Sequence, residues 1–251
     1  MTHNRQHRVA LITGAMGGLG TALCRRLHAE GFQVAATYSP ANARREAWLA
    51  GQRLDGVDVA AYELDVSNGN ACEAVARQVL DDFGRIDVLV NNAGITRDRS
   101  MRKMSQEDWH SVMGANLDSV FNMTRPVLES MVERGWGRIV NISSVNAQQG
   151  AFGQANYAAA KAGMHGLTKS LALEVARHGV TVNTVSPGYL DTAMVGKMAQ
   201  DVLKERILPQ IPVGRLGRPA EVAGLVAYLV SDLAGFMSGA NIAINGGQHM
   251  C

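Results

Sequence analysis

The chain has 251 residues, with 24 Lys plus Arg against 22 Asp plus Glu and a formal net charge of +2. That balance excludes the concentrated basic surface a dedicated nucleic-acid binder needs, and 47% hydrophobic with 18% charged residues excludes a disordered chain. The three cysteines, Cys24, Cys72 and Cys251, are too scattered for a disulfide framework or a CxxC pair, so a reducing, cytoplasmic setting is expected.

In chain order, the polar start Met1 to Arg8 shows no signal or transit pattern. No run approaches the roughly 18 apolar residues of a membrane span. Apolar runs of strand length follow at Val9 to Thr13, Gln33 to Thr37, Val59 to Leu64, Ile86 to Asn91, Arg138 to Ile142, Val180 to Val185 and Asn241 to Ile244. Amphipathic stretches of helical length separate most of them, among them Leu19 to Glu30, Ala71 to Phe83, Glu107 to Glu133 and Ala158 to His178. Such alternation predicts βαβ units: a single doubly wound Rossmann domain over residues 1–251, an α/β fold with a seven-stranded parallel sheet and helices on both faces. The interval 189–219 holds Met194, Met198, Pro209 and Pro212 but no strand, and is expected to be a substrate-covering lid.

The 27 glycines show no low-complexity block, and several of them concentrate where the first strand runs into a helix, Thr13-Gly14-Ala15-Met16-Gly17-Gly18-Leu19-Gly20. Glycines there allow positive φ and close approach of a pyrophosphate, and the helix N-terminus offers free N–H groups. No Walker lysine follows. An NAD-binding chain would carry an acidic residue at the end of the second strand, on the ribose 2′-hydroxyl. Here that place reads Thr37-Tyr38-Ser39, with Arg44-Arg45 shortly after. A guanidinium pairs with a 2′-phosphate that a carboxylate would repel, so NADP is favoured. The alternative is that Arg44 and Arg45 are only the solvated face of a helix.

Tyr157-Ala158-Ala159-Ala160-Lys161 puts a phenol and an ammonium one helical turn apart. A nearby cation stabilises phenolate, which would bring the Tyr157 pKa down toward working pH for proton transfer. Ser144, at the end of the fifth strand, could hydrogen-bond a substrate carbonyl at the same carboxyl edge of the sheet.

Together these motifs resemble the short-chain dehydrogenase/reductase family over essentially the whole chain. Thr13-Gly14-x-x-x-Gly18-x-Gly20 matches that family's cofactor loop, Asn91-Asn92-Ala93-Gly94 its fourth-strand motif, and Asn116, Ser144, Tyr157 and Lys161 its catalytic tetrad. The resemblance implies an NADPH-dependent reductase with no metal. Tyr157 would be the general acid, Ser144 would bind the carbonyl oxygen, Lys161 would hold the nicotinamide ribose, and Asn116 would position a relay water. It further implies cofactor contacts from Thr13, Gly14, Met16, Gly17, Gly18, Leu19 and Gly20 in the loop, and from Ser39 and Arg44 after the second strand. Asp65 would meet the adenine, Asn92, Ala93 and Gly94 would follow the fourth strand, and Pro187 and Gly188 would flank the nicotinamide, with Tyr157 and Lys161 completing the set.

Within the family the chain is most similar to the acetoacetyl-CoA reductases of polyhydroxybutyrate synthesis, through Asn91 to Asp98, Arg134 to Asn146, Phe152 to Tyr157, Val180 to Tyr189 and Asn245 to Met250. That likeness implies an acyl-CoA substrate met by Asp98, Ser144, Phe152, Gly153, Gln154, Tyr157 and Tyr189. Ala151 stands where those enzymes have a Gln. Trp136 and Phe152 lean toward the CoA enzymes, but for either taken alone packing is the stronger reading. Arg97, Arg99, Arg102 and Lys103 are candidates for the CoA phosphates or plain loop charges. The alternative is a 3-oxoacyl-acyl-carrier-protein reductase. A non-catalytic NADP-binding regulator has no need of the tetrad. The family also implies a homotetramer, built across the Glu107 to Glu133 and Ala158 to His178 helices and across the last strand.

Overall fold

Alternate residues of the first strand serve different layers: Val9 and Leu11 face one apolar cluster, Ala10 and Ile12 another. This is the side-chain period of a strand buried on both sides. The structure, a computed structural model, describes residues 8–192 and 200–250. Met194, Met198 and Cys251 lie outside the described residues.

The strands are β1 (Val9–Ile12), β2 (Gln33–Tyr38), β3 (Val59–Glu63), β4 (Val88–Asn91), β5 (Gly137–Ile142), β6 (Val180–Pro187) and β7 (Asn241–Ile244). They form one parallel sheet in the order β3-β2-β1-β4-β5-β6-β7. The helices are α1 (Gly18–Ala29), α2 (Arg45–Leu54), α3 (Gly69–Phe83), α4 (Gln106–Met113), α5 (Ser119–Glu133), α6 (Asn146–Gln149), α7 (Ala155–Val175), α8 (Gln200–Val202) and α9 (Pro219–Leu229). Leu23 and Leu27 of α1 and Val222 and Val226 of α9 pack on one face of the sheet. Val75 and Val79 of α3, Met123 and Val127 of α5, and Ala172 and Val175 of α7 pack on the other. The seven-stranded doubly wound Rossmann fold expected from the sequence is the fold observed.

One expectation needs correction. The stretch Glu107 to Glu133 is not one regular helix, because a π-helical turn at Gly114–Asp118 separates α4 from α5. The Asn116 Nδ2 donates to the Val112 carbonyl at 2.8 Å, competing with the backbone ladder where Gly114 already weakens it. The turn presents Asn116 to the interior, fully buried.

A buried polar row fixes the register just below the carboxyl edge. Asn91 of β4 pairs with Asn141 of β5, and Asn141 with Thr184 of β6. Asn91 Nδ2 donates to Asn141 Oδ1 at 2.9 Å and Asn141 Nδ2 to Thr168 Oγ1 at 2.9 Å, while the Thr168 and Thr184 hydroxyls meet at 2.8 Å. A one-residue slip of any of the three strands would strand these groups without partners, at the cost of a buried unsatisfied polar atom each.

At the opposite edge the Trp136 ring lies between two guanidiniums, Arg8 at 3.7 Å and Arg138 at 4.3 Å from its centroid, and its Nε1 donates to Asp232 at 3.0 Å. Trp136 is therefore a packing residue remote from the carboxyl edge. No helix among the described residues is long and apolar enough to cross a membrane.

Candidate active site

Strand order reverses between β1 and β4, which opens a crevice at their carboxyl ends. One threonine stitches the two ends together: Thr13 Oγ1 accepts from the Asn92 and Ala93 backbone N–H groups, each at 3.0 Å. Asn92 Nδ2 returns bonds to the Thr13 and Gly14 carbonyls at 2.9 and 3.1 Å. Gly14 has φ +64°, and a Cβ there would stand 2.8 Å from Ala93 Cα. At Gly20 a Cβ would meet the Gly14 carbonyl oxygen at 2.5 Å. Gly17 is the N-cap of α1, no side chain caps the helix, and its first turn carries no carboxylate, so its N–H groups are left for an external anion. Gly18 faces Thr192, Leu19 packs on the core, and Met16 Sδ receives Asn42 Nδ2 at 3.5 Å.

The other cofactor candidates ring this cradle. Ser39 is exposed just past β2, and Arg44 is the exposed N-cap of α2, its N–H bonded to Asn42 Oδ1 at 3.1 Å. Asp65, just past β3, accepts from the Ser67 N–H at 3.0 Å and hydroxyl at 2.6 Å through one oxygen. Pro187 ends β6 and takes the Val145 N–H at 2.8 Å, while Gly188 N–H donates to the Ile244 carbonyl at 3.1 Å.

The candidate tetrad converges at the same edge. Lys161 is only 3% exposed and its Nζ donates to the Ile142 carbonyl at 2.8 Å. Burial pulls its pKa from 10.5 down to about 7. Its ammonium stands 5.6 Å from the Tyr157 ring centroid. Asn116 Nδ2 is spent on the Ile95 and Val112 carbonyls, whereas its buried Oδ1 has no partner among the described residues. That oxygen lies against the place a Cβ on Gly94 would fill, with Lys161 Nζ close by. An orphaned acceptor, a cradle kept free of side chains and an open helix N-terminus fit a dinucleotide running from α1 toward Lys161.

Tyr157 hydrogen-bonds Ser144. Its pKa is raised, chiefly by burial, against the lowering pull of the Ser144 bond and with a further push from the Asp98 carboxylate. The expectation that Lys161 draws the Tyr157 pKa down is thus not met here: burial of the phenol prevails, and Lys161 is itself driven toward neutrality by its own burial.

The substrate candidates form a connected rim. Gln154 Nε2 donates to Asp98 Oδ2 at 2.9 Å, Gln154 Oε1 accepts from Asn146 Nδ2 at 2.8 Å, and the Asn146 N–H donates to Ser144 Oγ at 3.1 Å. Gly153, with φ +80°, takes the Arg99 N–H on its carbonyl at 2.8 Å. Phe152 is 96% exposed at this mouth. Tyr189 is half-buried after β6, its pKa raised by burial and then by Asp98. It also borders a cavity of about 220 Å³ together with Leu190, Ile211, Val213 and Ile244. Both ends of the 189–219 segment are tied together: Asp191 N–H donates to Gly217 at 2.8 Å, and Gly217 N–H to Tyr189 at 2.9 Å.

The sequence reading missed three braces. Asn146 carries the chain from Gln154 to Ser144. Fully buried Asn156 donates to the Arg97 and Asp108 carbonyls, both at 3.2 Å, and accepts the Tyr157 N–H at 2.8 Å. Ser143 donates to the Lys161 carbonyl at 3.0 Å and meets His165 Nε2 at 2.9 Å. Each sits within four residues of a tetrad member, which is the one signal the sequence offered.

A family profile described as enoyl-(acyl carrier protein) reductase matches residues 14–249. The chain is 53% identical to an acetoacetyl-CoA reductase of Cupriavidus necator, over 97% of this chain and 98% of that one. It is 50% identical to an acetoacetyl-CoA reductase of Allochromatium vinosum, over 97% and 99%. To a 3-oxoacyl-(acyl-carrier-protein) reductase of Vibrio cholerae it is 44% identical, over 98% and 99%. With the match running from the glycine cradle past the Tyr157 helix to the last strand, the chain belongs to the short-chain dehydrogenase/reductase family, oxidoreductases that work with a nicotinamide cofactor.

Proposed function

We propose that this oxidoreductase reduces the 3-oxo group of acetoacetyl-CoA to (R)-3-hydroxybutyryl-CoA with NADPH, for polyhydroxybutyrate synthesis. The observation that carries the reading is the meeting of Ser144, Tyr157 and Lys161 beside the glycine cradle, in a chain half identical to acetoacetyl-CoA reductases along its whole length. The cofactor, when bound, supplies the hydride. Thr13, Gly14, Gly20 and the α1 N-terminus hold its pyrophosphate, Arg44 and Ser39 its 2′-phosphate, Asp65 its adenine, and Lys161 its nicotinamide ribose.

Ser144 and Tyr157 place two hydroxyl donors on the carbonyl oxygen as negative charge develops there. The raised pKa keeps the Tyr157 proton on the phenol at neutral pH, where it serves as the general acid. Lys161, close to half-protonated near pH 7, can return that proton, and the free Asn116 Oδ1 can hold a water feeding Lys161. Asp98, Gln154 and Tyr189 line the acyl entrance, Phe152 and Gly153 its rim, and the 189–219 segment is the proposed lid, of which residues 193–199 lie outside the described residues.

The proposed assembly is a cytoplasmic homotetramer. It is supported by exposed apolar side chains on the helices and edge such an assembly would cover: Phe121 on α5, Leu173 on α7, and Leu233 and Phe236 ahead of β7. The Vibrio cholerae relative supports a second reading, reduction of 3-oxoacyl groups on acyl carrier protein by the same residues. The test is product analysis after turnover of acetoacetyl-CoA with NADPH. (R)-3-hydroxybutyryl-CoA is expected; the S isomer, or no reduction, contradicts the proposal.

A further inference from the structure

The parallel helices α1 and α2 begin at the two places where NADPH presents its phosphates. The α1 N-terminus carries the glycine cradle, and the α2 N-terminus carries Arg44. Arg45 is engaged by Glu46 at 2.7 Å, whereas the Arg44 guanidinium has no partner among the described residues. Affinity for the 2′-phosphate therefore depends on how far Arg44 is held from the cradle.

A polar ladder sets that distance. Trp48 Nε1 donates to Thr21 Oγ1 at 2.9 Å, Arg25 Nε donates to Gln52 Oε1 at 3.4 Å, and Arg25 pairs with Asp55. Positions 21 and 25 lie one turn apart on α1, as do 48 and 52 on α2, with Asp55 capping its end, so each helix offers one face. The top rung connects directly to both phosphate sites. Trp48 N–H donates to the Arg44 carbonyl at 2.9 Å, and Thr21 Oγ1 donates to the carbonyl of Ala15, inside the cradle, at 3.3 Å. Nε1 is the only polar atom of the Trp48 side chain, and it is spent here rather than on water. The half-buried ring packs on the core, where a phenyl ring would pack as well.

We infer that Trp48, through its hydrogen bond to Thr21, is a positioning residue for cofactor choice: it holds Arg44 in register with the pyrophosphate cradle and so sets the preference for NADPH over NADH. This rests on the reading of Arg44 as the 2′-phosphate partner. NADH has no 2′-phosphate and so does not sense where the Arg44 guanidinium stands.

The experiment measures KM and kcat for NADPH and for NADH, at saturating acetoacetyl-CoA, in the native chain, Trp48→Phe, Arg44→Ala and the double variant. Trp48→Phe is expected to raise KM for NADPH about 5- to 10-fold, the size of one lost hydrogen bond, with kcat and the KM for NADH held within about 2-fold. In the Arg44→Ala background the same change is expected to add nothing, since coupled positions are non-additive. Thr21→Val removes the same acceptor together with the bond to Ala15, and is expected to raise KM for NADPH more than KM for NADH, with Thr21→Ser restoring both; this pair carries the test if Trp48→Phe does not fold. A Trp48→Phe effect equal on both cofactors, or additive with Arg44→Ala, overturns the inference. An unchanged NADPH-to-NADH ratio in Arg44→Ala overturns the reading of Arg44 and the inference with it. A changed ratio there with none in Trp48→Phe overturns the inference alone.

Discussion

Lys161 Nζ donates to the carbonyl of Ile142, the last residue of β5, at 2.8 Å, two residues before Ser144. The bond ties the helix that carries Tyr157 to the strand that carries Ser144, at a site so buried that the pKa of the Lys161 amine falls from 10.5 to about 7. Between those values the folded chain binds fewer protons at this site than the unfolded chain, so stability rises with pH across the window. Thermal unfolding of the native chain compared with Lys161→Met, followed from about pH 7 to about pH 10, is expected to show the native chain gaining on the variant as pH rises. Parallel curves would contradict the burial argument.

Removal of the phenolic hydroxyl should separate chemistry from binding. Tyr157→Phe is expected to lower turnover of acetoacetyl-CoA by about 10³-fold, within the range of general-acid catalysis. NADPH affinity, followed by cofactor fluorescence, should stay within about 2-fold of native, because the lost bond goes to Ser144 and not to the cradle. Ser144→Ala is expected to cost about 10²-fold by losing one donor to the oxyanion.

The Asp98 carboxylate pushes up the pKa of both Tyr157 and Tyr189. Asp98→Asn keeps an acceptor for Gln154 Nε2 but removes the charge. The phenolate then becomes easier to form, so the alkaline limb of the kcat profile for reduction is expected to move to lower pH. An unmoved limb would show that Asp98 does not act on the proton donor.

The glycines of the loop are unequal. Gly20→Ala drives a methyl into backbone, 2.5 Å from the Gly14 oxygen and 2.6 Å from Ala15 Cα. It is expected to cost about 1–3 kcal/mol of stability and to weaken NADPH binding. At Gly17 the nearest atom to an added Cβ is 3.5 Å away, so Gly17→Ala should leave the melting temperature nearly unchanged. Equal losses in the two variants would contradict the cradle geometry.

The fold and the Tyr157–Lys161 spacing could be read from the sequence because they are written in local signals. The apolar runs were buried on both faces, as at β5 and β6, and Tyr157 and Lys161 lie one helical turn apart. What escaped depends on contacts between distant segments. At the π turn Gly114–Asp118, Asn116 bonds the Ile95 carbonyl, 21 residues away, a partner that no local spacing announces. The direction of the Tyr157 shift depends on how deeply α7 packs, which no spacing reveals. Trp136 reads as a packing residue in the sequence, and it stacks on Arg8 and Arg138 at the far edge of the sheet.

The central claim is reduction of a CoA thioester, and it is tested most directly by comparing kcat/KM, with NADPH, for acetoacetyl-CoA and for the acetoacetyl group on acyl carrier protein. The account predicts a clear preference for the CoA substrate, by about 10-fold or more, the equivalent of about 1.4 kcal/mol. A preference for the carrier-protein thioester would contradict it and place the chain with the acyl-carrier-protein reductases.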